Sequence, residues 1–145
     1  TGALAPTPDC VAPSAVKSHI GRYTPHALDD AGIEKQLADF ANCAALAQAA
    51  GYDGVEIIGS AGYLLSAFMV RKTNLRTDHW GGPWENRMRF AVEVVRRVRA
   101  AVGERFIVIF RVPAMDMLDG GLAWDEIVSL AQGLQEAAEA RRSRR

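Results

Sequence analysis

Two side chains in this sequence stand where chemistry is expected. Tyr63 lies in Gly59-Ser60-Ala61-Gly62-Tyr63-Leu64-Leu65, just past the β-rich run Gly54-Val55-Glu56-Ile57-Ile58, and Arg111 follows the apolar run Phe106-Ile107-Val108-Ile109-Phe110. A phenol placed there can serve as a general acid. A tyrosine can equally be a buried hydroxyl bonded to a carbonyl, and the residues alone leave both roles open for Tyr63. An arginine leaving an apolar strand needs an anion or a set of carbonyls to receive its guanidinium. A ligand would do that for Arg111, and so would a buried ion pair with a carboxylate such as Glu56.

Other sources of chemistry are thin. Gly59-Ser60-Ala61-Gly62 completes neither the G-x-G-x-x-G nor the G-x-x-x-x-G-K-[ST] phosphate pattern. His19, His26 and His79 lack metal-ligand spacing, and Cys10 and Cys43 lie far apart with no C-x-x-C, so no metal site and no disulfide framework is expected. A reducing, cytoplasmic setting fits that cysteine usage.

The elements that must position Tyr63 and Arg111 alternate. Residues 1–25 carry Pro6, Pro8 and Pro13 with no sustained period and read as loop or linker. Asp29 and Asp30 open a helix in which Ile33, Leu37, Phe40, Ala41, Ala44 and Ala45 recur at helical spacing, and Gly51 ends it. The strand Gly54–Ile58 follows, then a long loop rich in turn formers through Pro83. A second helix is predicted over Trp84–Val102. The clearest strand is then Phe106–Phe110, a type of run found where both faces of a parallel sheet are covered. Trp124, Ile127, Val128, Ala131 and Leu134 outline a third helix.

Helix, strand, helix, strand, helix implies parallel strands joined by right-handed crossovers, with ligands at the strands' carboxyl ends. Two strands cannot cover their own faces and edges, so the expected fold class is α/β, part of a larger sheet.

At 145 residues and 49% hydrophobic, the chain can bury one core. Its 17 basic and 17 acidic residues cancel, which argues against nucleic-acid or anionic-membrane partners. The exception is the basic tail at 141–145, Arg-Arg-Ser-Arg-Arg, expected to be merely solvated. No apolar run approaches the roughly 20 residues of a membrane span, and the opening stretch lacks the pattern of a secretion signal.

Four segments carry a family resemblance: Ala12-Pro13-Ser14; Ala49-Ala50-Gly51-Tyr52-Asp53-Gly54-Val55-Glu56-Ile57; Gly62-Tyr63-Leu64-Leu65; and Thr73-Asn74-Leu75-Arg76-Thr77-Asp78-His79-Trp80-Gly81-Gly82 with Glu85-Asn86-Arg87-Met88-Arg89-Phe90. From about Val11 to Ala138 the chain resembles the flavin barrel of the old yellow enzyme (NADH:flavin oxidoreductase) superfamily. The implied fold is a partial (β/α)8 TIM barrel, about two βα units with a preceding helix, occupying residues 26–140. Ene-reductases of the superfamily place a His-His or His-Asn pair before the tyrosine. Here those positions hold Ile58 and Ala61, which cannot donate hydrogen bonds from their side chains. The pattern with Gly59-Ser60 is instead similar to the bacterial 2,4-dienoyl-CoA reductases.

That resemblance implies roles. Tyr63 matches a proton-donating tyrosine, Arg111 an arginine contacting the FMN isoalloxazine, and Lys72 a basic substrate-contacting position usually held by arginine. The implied reaction, a step of fatty acid β-oxidation, is NADPH-dependent reduction of a 2,4-dienoyl-CoA, with hydride from FMN and a proton from Tyr63. Asp78, Glu85, Arg76, Arg87 and Arg89 are expected to tie the long loop down through ion pairs.

A complete barrel needs about 250 residues, so further strands are expected outside this chain. By resemblance these would carry the FMN phosphate site, a histidine partner for the tyrosine, the cysteines of a 4Fe-4S cluster and the domains for FAD and NADPH. Residues 1–9 and those after Ala138 depart from the family pattern, as at a truncation. The isolated chain is therefore expected neither to hold FMN tightly nor to turn over substrate. The alternatives are an ene-reductase or NADH:flavin oxidoreductase of the same superfamily, or a non-catalytic module that self-associates through open sheet edges.

Overall fold

The computed structural model describes residues 8–19, 21–115 and 119–139; the basic tail lies outside them. Among the described residues the order is β1 (Val11–Ala12), β2 (His26–Ala27), α1 (Asp30–Ala49), β3 (Gly54–Ile58), α2 (Leu64–Met69), α3 (Trp84–Arg87), α4 (Arg89–Val102), β4 (Ile107–Arg111) and α5 (Trp124–Glu139).

Helix α1 starts where Asp29 accepts a hydrogen bond from the Gly32 amide at 2.7 Å, answering one of the donors a helix start leaves unpaired. It ends at Ala50, before Gly51 at φ 88°. The chain then enters β3, which pairs in parallel with β4, Gly54 opposite Ile107 and Ile58 opposite Arg111. Helices α1, α4 and α5 cover one side of this pair. Ile33, Leu37, Val94, Val98 and Leu130 are buried there, and Phe90 lies at the centre, stacked on Phe68 at 4.2 Å and edge-on to Phe40 and Trp80. Offset and edge-to-face contacts of this kind add to the area each ring buries.

Four sequence expectations change. The stretch 1–25 is not all loop, because Val11–Ala12 pairs in parallel with His26–Ala27 across the boundary set at residue 25. A two-residue strand is too short to leave a periodic signal. The long loop contains α2, whose Leu64, Leu65, Phe68 and Met69 are all buried, a continuous rather than amphipathic run. The helix expected over Trp84–Val102 is two helices joined at Met88, with Arg87 turned into the core.

Most consequential is the sheet. Val55, Ile57, Val108 and Phe110 face the helices, whereas Ile107 and Ile109 are 55% and 53% exposed. The apolar run of β4 therefore has one face covered and one open among the described residues.

Candidate active site

Strand alternation places Glu56 and Ile58 of β3 on the open face together with Ile107, Ile109 and Arg111 of β4. At the carboxyl end of this face Arg111 meets Glu56 in a fork, Nε to Oε1 and Nη2 to Oε2 both at 3.0 Å. The carboxylate that the sequence offered as a partner is thus the partner, but the pair is not buried: the two side chains are 57% and 39% exposed. Nη1 of Arg111 has no partner among the described residues and stays available to a ligand.

Beyond β3 the chain turns sharply. Gly59 packs so closely on β4 that a Cβ there would sit 2.2 Å from the Phe110 ring, and its amide donates to the Arg111 carbonyl at 3.0 Å. Ala61 takes φ 64°, uncommon for a residue with a side chain, and Gly62 follows at φ 75°. This turn delivers Tyr63, a residue 47% exposed, at the start of α2. Ser66 Oγ donates back to the Tyr63 carbonyl at 3.1 Å, holding the backbone of that first turn.

Tyr63 lines a cavity of about 510 Å³ along the edge of β3 that β4 does not occupy, with Glu56, Ile58, Phe40 and Leu65. Glu56 is therefore the link between the expected residues, sharing a cavity with Tyr63 and an ion pair with Arg111. Lys72 is not brought to that cavity. It lines a separate cleft on the far side of the turn, with Ala61 and Gly62.

The loop signature is a scaffold, held by the expected kind of ion pair at Arg76 and by other contacts at Arg87 and Arg89. Arg76 pairs with Asp78, Nη2 to Oδ2 at 2.5 Å, and its Nη1 reaches the carbonyls of Pro13 and Leu28. Buried Asn74 donates to the carbonyls of Phe68 and Trp80 at 2.6 and 2.8 Å. Arg87 pairs with neither Asp78 nor Glu85 but with Glu126 of α5 at 2.5 Å, and stacks over Trp84. Arg89 donates to the His79 carbonyl and to Asn86. The Arg76 guanidinium beside Asp78 holds its carboxyl below the usual carboxylate range, helped by the Trp80 amide and opposed by partial burial.

The profile of the NADH:flavin oxidoreductase / NADH oxidase family matches residues 4–143. The chain belongs to this family. Among family relatives, a metal reductase of Desulforamulus reducens is 42% identical over 88% of this chain and 19% of its own length. An NADH oxidase of Thermoanaerobacter brockii is 39% identical over 88% of this chain and 20% of its own. Among solved structures, a 2-naphthoyl-CoA reductase in complex with 2-naphthoyl-CoA aligns with TM-score 0.84 and 34% identity, over 89% of this chain and 20% of that one. The chain thus spans about a fifth of the length of the curated relatives it matches. The family membership accords with the expected α/β fragment of a barrel, with β3 and β4 as adjacent parallel strands. Among the described residues no group of histidine, cysteine, aspartate and glutamate side chains could hold a metal ion, and no helix is long and apolar enough to cross a membrane.

Proposed function

We propose that this chain supplies the proton donor and one flavin-ring contact of an FMN-dependent reductase acting on a carbon–carbon double bond conjugated to a thioester. The observation that supports this most is the register Ile58 opposite Arg111, which sets Arg111 at the strand end from which the Tyr63 turn departs. The open face fits the ring end of FMN: exposed Ile58 and Ile109 offer an apolar floor, and the half-exposed guanidinium offers a free donor and a positive charge. A charge there favours a reduced, anionic ring. Reduced FMN, recharged by NADPH, would supply the hydride to the far carbon of the conjugated system. Tyr63 would deliver its phenolic proton to the α-carbon and recover one from solvent, and Lys72 would meet an anionic part of the substrate. The affinity for a dienoyl-CoA rests on Ile58 and Ala61, which cannot grip a carbonyl by hydrogen bonding, and the related 2-naphthoyl-CoA reductase also handles a CoA thioester.

Grafting residues 50–112 into the barrel of the Thermoanaerobacter brockii relative tests the assignment. Arg111→Ala is expected to lower the flavin content of the graft, and Tyr63→Phe to keep the flavin but slow dienoyl-CoA reduction about 100-fold or more. A graft that prefers a cyclic enone would move the reading to an ene-reductase. Unchanged turnover in Tyr63→Phe would remove the proton-donor role.

A second reading is favoured by the exposed Ile107 and Ile109, which would associate copies of this chain if nothing else covers them. Flavin absorbance and mass in solution of the purified chain distinguish the two: a colourless oligomer supports the module, and weak saturable FMN binding by a monomer supports the reductase fragment.

A further inference from the structure

The cleft that receives Lys72 lies outside the Tyr63–Glu56–Arg111 arrangement and is unlike the rest of the surface. It measures about 480 Å³ and runs between the turn Ala61–Gly62 and residues within 10–19 and 21–25. Lys17, Arg22 and Lys72 all line it, together with His19, and among the described residues no aspartate or glutamate does. In a chain of zero net charge this is a concentration of one sign.

Among the described residues these three cations also stand unanswered. Arg71, Arg76, Arg87, Arg96, Arg97 and Arg111 each have a carboxylate within salt-bridge distance. Lys17, Arg22 and Lys72 have neither an ion pair nor a hydrogen bond among the described residues. Hydroxyl donors stand among them at Ser18 and Tyr23. The cleft itself is held open by fixed contacts. Ser14 accepts from the Leu75 amide at 2.9 Å, Arg76 holds the Pro13 carbonyl at 3.1 Å, and Thr73 donates to the Ala67 carbonyl at 2.8 Å.

From these observations we infer that the cleft is a binding site for the phosphate groups of an organic phosphate, with Lys17, Arg22 and Lys72 as its cationic contacts. A single carboxylate is satisfied by one arginine fork. Several cations with hydroxyl donors and, among the described residues, no opposing carboxylate match a group carrying more than one negative charge and many acceptor oxygens. Ala61 and Gly62 form one wall of the cleft, and Tyr63 follows them directly on the other side of the turn. A ligand anchored here by its phosphates could therefore extend a neutral arm past the turn towards the phenol. The inference goes beyond the roles proposed for Tyr63 and Arg111, rests on and deepens the anion contact proposed for Lys72, and would hold without any flavin.

Calorimetric titration of the whole chain with inorganic pyrophosphate tests it. Saturable binding that weakens as salt is raised is expected, because exposed charges are screened. Lys17→Ala, Arg22→Ala and Lys72→Ala should each weaken it by about fivefold or more, while Lys17→Arg and Lys72→Arg retain it. Circular dichroism of each variant separates lost binding from lost folding, and FMN titration of the same samples reads the flavin contact independently. Displacement of pyrophosphate by coenzyme A, or by a nicotinamide dinucleotide, supports the site and says which phosphate-bearing molecule it takes. Absence of binding, indifference to all three alanine substitutions, or displacement by neither organic phosphate overturns the inference.

Discussion

Arg111 and Glu56 meet across the β3–β4 pair with both guanidinium-to-carboxylate distances at 3.0 Å, a two-point fork between adjacent strands on a face open to solvent. Exposed pairs of this kind contribute little to stability, about 1 kcal/mol at most, because water screens the attraction and two side chains lose freedom. A double-mutant cycle with Glu56→Gln and Arg111→Ala, followed by urea unfolding, is expected to give a coupling no larger than about 1 kcal/mol. The same Glu56→Gln change should alter FMN titration more than stability, since the fork fixes where the guanidinium points. A coupling of several kcal/mol would make the pair structural.

Arg87 is the opposite case. Its side chain is 1% exposed, with donors satisfied by the carbonyls of Met69 and Gly82 and by Glu126. Arg87→Met leaves Glu126 largely buried, with Arg71 3.8 Å away as its remaining cation and the Ala123 amide donating to it at 3.1 Å. A loss of about 3 kcal/mol or more is expected in urea unfolding, with partial recovery when Glu126→Leu is added. Additive losses in the double variant would show that the pair itself is not the cause.

Ala61 holds φ 64° in the turn before Tyr63. A Cβ in that region costs about 1–2 kcal/mol, which exceeds the roughly 0.4–1 kcal/mol that glycine loses through a freer unfolded chain. Ala61→Gly should therefore raise the thermal midpoint modestly. A lowered midpoint would show that the turn is not strained.

Acid should loosen the loop around Asp78. Its carboxyl titrates below the ordinary 3.8 in the folded chain, first because Arg76 hydrogen-bonds it. A depressed folded value means the contribution is present above about pH 4 and is lost as pH falls through the folded value. Asp78→Asn should then unfold more easily than the parent at pH 7, with the difference shrinking towards pH 2. A pH-independent difference would point away from the charge.

Much of this architecture was legible before any coordinates. Asp29 and Gly51 mark the ends of α1 by local chemistry, and the β-rich runs near 54–58 and 106–110 need only their composition to be recognised. Helix α2 was not legible, because its residues are buried all round and carry no period. Lys17 and Arg22 gave no signal either: they sit in a segment without regular spacing, and their meaning comes from sharing a cleft with Lys72 about fifty residues away.

Residue order alone thus settled the succession of α1, β3, α4, β4 and α5 and the family pattern around Tyr63, since each depends on neighbours within a few positions. Tertiary structure alone decided that Arg111 forks onto Glu56 in the open, that Arg87 turns inward to Glu126, and that Lys72 faces a different cleft from Tyr63. Those outcomes depend on which side of a strand or turn each side chain leaves and on what distant segment packs there. Neighbouring charges such as Lys35 and Asp39 are paired by helical spacing, but Arg111 and Arg87 find partners tens of residues away by distance in space, which no spacing along the chain encodes.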